Sequence, residues 1–133
     1  MTLVIKKNHL DEIISHAREE FPTEACGILA GKDKKVNKVY RMTNIEKNPM
    51  RYFMDSKEQF KVTKQLRYEG LEMVGIYHSH PNVRPYPSSH DIELAFYPES
   101  SYMIVSLINN IPEVRSFRIV DEVIKEEKIK IER

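Results

Sequence analysis

Apolar positions along this chain recur with two spacings, every second residue or every third to fourth, and the changes between them set the expected elements. Thr2 to Ile5 reads as a short strand. Leu10, Ile13, Ile14 and Ala17 share one helical face, with Asn8 placed to cap that helix. Phe21-Pro22 ends it, because a residue before proline avoids the helical region. Cys26 to Ala30 is an apolar run closed by Gly31, which predicts a buried strand. A polar turn over Lys32 to Lys35 leads into a partner strand over Val36 to Met42.

Arg51 to Met54 predicts another short strand. Ser56 with Gln59 three residues on forms a capping-box pattern, so a helix should follow, burying Val62 and Leu66 and ending at Gly70, with Phe60 off that face. Met73 to Tyr77 predicts a second buried strand, running into His78-Ser79-His80-Pro81. The prolines between Pro81 and Pro87 make a stiff, non-helical loop. Ser88 or Ser89 can cap a short helix through Asp91, Leu94 and Phe96, stopped near Pro98. Tyr102 to Ile108 and Val114 to Val120 read as strands joined at Asn109-Asn110. The charged end, Glu122 to Glu132, fits a strand or a helix. Strands not regularly separated by helices predict an α+β (mixed α/β) fold, with residues 1–133 as one domain.

Composition narrows the class. Of the 133 residues, 41% are hydrophobic and 31% charged, as in soluble globular proteins. Against 20 Asp and Glu stand 21 Lys and Arg, a net charge of +1, so neither nucleic acid nor a membrane is expected as partner. Lys32, Lys34, Lys35 and Lys38 read as a solvated hairpin. Cys26 is the one cysteine, so no intramolecular disulfide forms. In a buried strand it is expected to be an inert small hydrophobe. The first residues lack the order of a signal peptide, and no apolar run approaches spanning length, so a cytoplasmic location is expected.

The candidate chemistry lies where the second buried strand ends. Side chains two apart on a strand point the same way, so His78 and His80 present two imidazoles to one side while Ser79 faces the other. The proline loop can bring Asp91, in the first turn of the next helix, back beside them. Two histidines and one carboxylate leave one position of a tetrahedral zinc open, as catalytic sites do. Such an ion lowers the pKa of its water to about 7, and a further carboxylate is then needed to move protons. Glu24, just before the first buried strand, is the candidate. His90 beside Asp91 points elsewhere on a helix, and His9 and His16 read as surface or packing residues.

The run Pro22-Thr23-Glu24-Ala25-Cys26-Gly27-Ile28-Leu29, with His78-Ser79-His80-Pro81, Ser88 and Asp91, resembles the JAMM (MPN+) metalloprotease family, in its short stand-alone prokaryotic type. The resemblance covers nearly the whole chain. It implies a central, mostly antiparallel sheet flanked by helices, of the cytidine-deaminase-like kind. It implies one zinc held by His78, His80 and Asp91, with Glu24 as the acid/base and Ser88 as donor to the oxyanion. It implies hydrolysis after the C-terminal glycine of a ubiquitin-like protein or sulfur carrier ending in Gly-Gly. Two other functions fit the same fold: a non-catalytic interaction scaffold, disfavoured because no ligand is missing, and a nucleic-acid enzyme, disfavoured by the near-neutral charge.

Overall fold

The two apolar runs become the two central strands of the sheet. In a computed structural model that describes residues 2–133, the order is β1 (Thr2–Lys6), α1 (Lys7–Glu20), β2 (Cys26–Lys32), β3 (Lys35–Met42), α2 (Ser56–Tyr68), β4 (Glu72–His80), α3 (Ser89–Glu93), β5 (Ser101–Ser106), β6 (Glu113–Val120) and β7 (Val123–Glu132). β2 and β4 are buried on both faces, which is why they read as continuous apolar segments. Leu29 and Tyr77 pack on the α1 side with Ile13 and Ala17. Ile28, Ala30 and Ile76 pack on the other side with Leu66 of α2. Among the described residues, no helix is long and apolar enough to cross a membrane.

A helix lies on either face, but the sheet is not an open central one. Its strands run β1-β3-β2-β4-β5-β6-β7 and close into a barrel. β7 lies parallel to β1, with Thr2 opposite Lys128 and Lys6 opposite Glu132. The remaining closure, β1 to β3, rests on the single pair Val4 and Lys35. The β4–β5 pair is also parallel, while β2–β3, β2–β4, β5–β6 and β6–β7 are antiparallel. Closure gives the ambiguous C-terminal segment its form: as a strand it satisfies its backbone against β6 on one side and β1 on the other.

Several local expectations are corrected. Asn8 lies inside the first turn of α1, whose cap position is Lys6 with no side-chain bond. α2 is capped by Asp55, which accepts from the Lys57 and Glu58 amides, so Ser56 is already helical. The segment Arg51 to Met54 forms only a single bridge, Asn44 to Met54. α3 ends at Glu93, short of Phe96, and β5 ends at Ser106, short of Ile108. The β2–β3 hairpin is not simply solvated: Asp33 and Lys34 take positive φ, and Lys34 folds inward to Glu127 at 3.0 Å and to Ser101. Lys35 pairs with Glu132 and Lys38 with Glu69.

Close packing behind the ligand strand is visible at Gly27. A Cβ there would stand 2.1 Å from the Tyr77 ring, whose hydroxyl is tied to His16 Nδ1 at 2.7 Å. Gly27→Ala should therefore lower unfolding free energy by about 1–3 kcal/mol, the usual cost of overpacking, read as a lower urea midpoint.

Candidate metal centre

Strand parity and register assemble the site. β4 carries His78 and His80 to its end, where both are buried to 1% exposure. Antiparallel pairing sets Cys26 opposite His78. Continued by one residue, it joins the Ser79 amide to the Ala25 carbonyl at 3.0 Å, and Ser79 Oγ accepts from the Ala25 amide at 2.8 Å. Glu24, two residues before Cys26, is buried close enough to Asp91 for that charge to act on its carboxyl.

Asp91 arrives from α3. Ser88 caps that helix, its Oγ accepting from the Asp91 amide at 3.1 Å. In return Asp91 Oδ2 accepts from the Ser88 amide at 2.9 Å, which completes a capping box and aims the carboxylate. Oδ2 then lies 3.0 Å from His78 Nε2 and 3.1 Å from His80 Nε2, and the two Nε2 atoms are 3.1 Å apart.

This donor set fits a divalent metal, and the hydrogen bonds say why. His80 Nδ1 contacts the Arg84 carbonyl at 2.9 Å, and a carbonyl only accepts, so Nδ1 carries the proton. In the neutral ring Nε2 then points a lone pair at another imidazole and at a carboxylate. Oδ1 of Asp91 is buried with no partner among the described residues. Lone pairs converging within 4.8 Å in a buried place are what a cation satisfies. The Tyr52 ring stacks on His78 at 4.6 Å and closes the pocket wall.

Charge in the pocket is uneven. Burial opposes ionisation of Asp91, but His78, His80 and the Ser88 amide outweigh it and hold its pKa well below the usual carboxylate range. Glu24 has no such support. Burial, with the nearby Asp91 charge added, pushes its pKa up to about 9, and its Oε1 is buried without a partner among the described residues. Its backbone is held instead: the amide donates to Asn48 O at 3.0 Å, and its carbonyl accepts from Asn44 Nδ2 at 3.0 Å. Asn44 spends its remaining bonds on Arg51, Glu46 and Phe53 of the same loop.

Of the residues singled out in the sequence, His78, His80 and Asp91 meet directly, Ser88 bonds Asp91, and Glu24 lies buried within reach of the Asp91 charge. His90 turns away, its Nε2 at 3.3 Å from the Tyr52 carbonyl. Cys26 is fully buried, and burial pushes its thiol up to about 12, too high to ionise for nucleophilic work. His16 is a packing residue, bonded to Tyr77. Asn44, Tyr52 and Ser79 are the positioning residues that sequence reasoning missed. Parity turns Ser79 away from the histidines, but its bond to the Ala25 amide depends on where the chain entering β2 runs, which no local pattern gives.

A buried pair of strand-end imidazoles, with a capping aspartate, on a mixed α/β sheet defines a JAMM/MPN-type domain. The chain belongs to the prokaryotic homologues of the JAB domain, a family whose pattern matches residues 6–120. It is 39% identical over 132 residues to the CysO-cysteine peptidase of Mycobacterium tuberculosis, covering 97% of this chain and 90% of that one. It is 37% identical over 103 residues to the desampylase of Haloferax volcanii, covering 72% and 74%. The solution structure of a Desulfitobacterium hafniense protein superposes with a TM-score of 0.89 at 36% identity, covering 100% of this chain and 94% of that one.

Glu24 yields a stability prediction for the protein freed of metal by a chelator. The folded chain keeps that proton up to about pH 9, while the unfolded chain releases it near 4.5, so stability falls as pH rises between those values. Asp91 is ionised throughout the upper part of that window, and His16, whose pKa burial lowers, contributes its opposite slope only near and below 6.5. Between neutral pH and about 9, Glu24→Gln should therefore melt progressively higher than the parent, read by thermal denaturation in chelator. A gap that stays constant with pH would mean Glu24 is not held protonated. Asn44→Ala should cost about 1–3 kcal/mol in urea unfolding, since it strands buried partners around Glu24.

Proposed function

We propose that the protein is a zinc-dependent peptidase or isopeptidase that cuts the bond after the C-terminal glycine of a ubiquitin-like protein or sulfur carrier. The observation that carries this reading is the convergence of His78 Nε2, His80 Nε2 and Asp91 Oδ2 in a buried place, with a second buried carboxylate, Glu24, on which the Asp91 charge acts. Membership of the JAB family supports the reaction class. The similarity to a CysO-cysteine peptidase and a desampylase supports a small carrier or modifier protein as substrate.

In this reading His78, His80 and Asp91 hold the zinc. When bound, the ion would lower the pKa of a coordinated water to about 7 and draw Glu24 toward its ionised form. Glu24 takes the proton from the attacking water and returns it to the leaving amine, so that water and the (iso)peptide bond become a carboxylate and an amine. The burial that makes its carboxyl reluctant to ionise also makes it an acceptor of high proton affinity. The Ser88 hydroxyl oxygen is engaged as acceptor from the Asp91 amide, which leaves its O–H free to donate to the oxyanion. The Ser79 and Asn44 bonds hold the β2 end so that Glu24 faces the ligands.

Purified protein should contain about one zinc per chain by metal analysis, as a mononuclear site requires. His78→Ala and Asp91→Ala should lose both metal and activity; unchanged metal content would assign the wrong ligands. Glu24→Gln should keep the metal and lose activity by roughly 100-fold or more, the scale of a missing general acid/base. Ser88→Ala should lose on the order of 100-fold in kcat. Activity is read by intact mass, as loss of an extension placed beyond the Gly-Gly of a ubiquitin-fold carrier; no cleavage of any such extension by zinc-loaded enzyme would sink the substrate assignment.

A further inference from the structure

His78 and His80 are held in different ways. A neutral ring that offers Nε2 to a metal carries its proton on Nδ1, and that N–H wants an acceptor. His80 has one, the Arg84 carbonyl at 2.9 Å. His78 Nδ1 is buried with no partner among the described residues. A hydrogen bond therefore sets the orientation of the His80 ring, and His78 lacks that support. What His78 has instead is a neighbour on its ring face. Tyr52 stacks there with centroids 4.6 Å apart and planes 25° from parallel. His80, the other ring beside it, is tilted by 59°. A stacked ring restrains the imidazole from turning out of its plane. It also favours the metal-bound ring over the free one. An imidazole that gives its lone pair to a cation is depleted of electrons, and the face of a phenol ring attracts such a group.

The chain on either side makes Tyr52 a fixed support. Tyr52 itself is buried. Asn44 bonds both of its neighbours, donating to the Arg51 carbonyl at 3.2 Å and accepting from the Phe53 amide at 3.0 Å. The Phe53 carbonyl accepts in turn from the Ile45 amide at 2.9 Å. The Tyr52 carbonyl lies 3.3 Å from His90 Nε2, and since a carbonyl only accepts, His90 donates. His90 immediately precedes Asp91 on α3, a helix of five residues, too short to be stable without such tethers. One residue thus reaches two ligand-bearing elements, β4 through its ring and α3 through its backbone.

We infer that Tyr52 is a positioning residue for the metal, its ring holding His78 in a coordinating orientation and its carbonyl tethering the Asp91 helix through His90. The inference rests on the zinc reading above. Tyr52 acts on the grip of the ligand set and takes no part in proton transfer.

Metal binding is read directly, by competition with a chromophoric chelator for zinc and by the visible spectrum of the cobalt(II)-loaded protein. Tyr52→Leu should weaken zinc binding about tenfold or more, the usual scale for losing a group that orients a ligand, and should alter the cobalt bands. Tyr52→Phe keeps the ring and should bind like the parent, with the parent's spectrum. His90→Ala should weaken zinc binding about threefold or more, the worth of one hydrogen bond, and His90→Gln, which can still donate, should recover part of that loss. Ile5→Val, in the core on the α1 side, should lower the melting temperature and leave zinc binding unchanged. Melting in chelator confirms that each variant is folded. Parent affinity in Tyr52→Leu overturns the inference, and so does a loss in Tyr52→Phe or Ile5→Val as large as in Tyr52→Leu. Should Tyr52→Leu fail to fold, the His90 pair decides: parent affinity in His90→Ala overturns the tether, and a loss recovered by glutamine supports it. A parent that binds neither zinc nor cobalt sinks the metal reading and this inference with it. A parent that binds zinc but cleaves no carrier sinks the peptidase reading alone.

Discussion

The register between β2 and β4 is the constraint on which the site depends. It sets Cys26 against His78, with Glu24 two residues before that pair and buried near Asp91. A slip of one residue would set His78 against Gly27 instead of Cys26 and turn every β2 side chain to the other face, since strand side chains alternate. Bonds outside the regular ladder guard against that slip: Ser79 Oγ on the Ala25 amide, and Asn44 on the Glu24 carbonyl. Hydrophobic patterning points the same way, because Leu29 and Ile28 must face opposite cores. The placing of these side chains thus follows from how two buried strands, and the chain that leads into β2, are made to align.

The pocket also illustrates how one environment separates two carboxyls. Asp91 and Glu24 are both buried, yet one is held ionised and the other pushed toward its neutral form. The difference lies in their partners. Asp91 receives two imidazoles and an amide because the first turn of α3 places it in a capping box, whereas Glu24 keeps a bare oxygen. The two carboxyls are set apart by their local hydrogen bonding.

Much of this was legible along the chain. β2 and β4 read clearly because strands buried on both faces leave an unbroken apolar run, and parity alone turned His78 and His80 together. What was not legible is mainly non-local. Closure depends on β7 meeting β1 across the length of the sequence, and nothing within either segment announces the other. Lys34 looked like surface charge because its partners, Glu127 and Ser101, come from two distant strands. Asn44 and Tyr52 sit in a loop without periodicity, so their roles emerge only once that loop folds over β2 and His78. Asp55 was passed over as a cap because the adjacent Ser56 offered an equally good local pattern.

The pairing of the first strand with the last has an outcome for biosynthesis. β1 is synthesised before every other described element, yet apart from one bridge to β3 its ladder is made wholly by β7, a ten-residue strand. Until β7 has been made, Leu3 and Ile5 have α1 to lie against, and β1 has only its one bridge to β3 to pair with. Contacts that far apart in sequence are slow to form, and an unsatisfied strand edge in the meantime invites pairing with other chains. The nascent chain therefore carries an open strand edge at β1 from early in synthesis, and covers it only once β7 is in place.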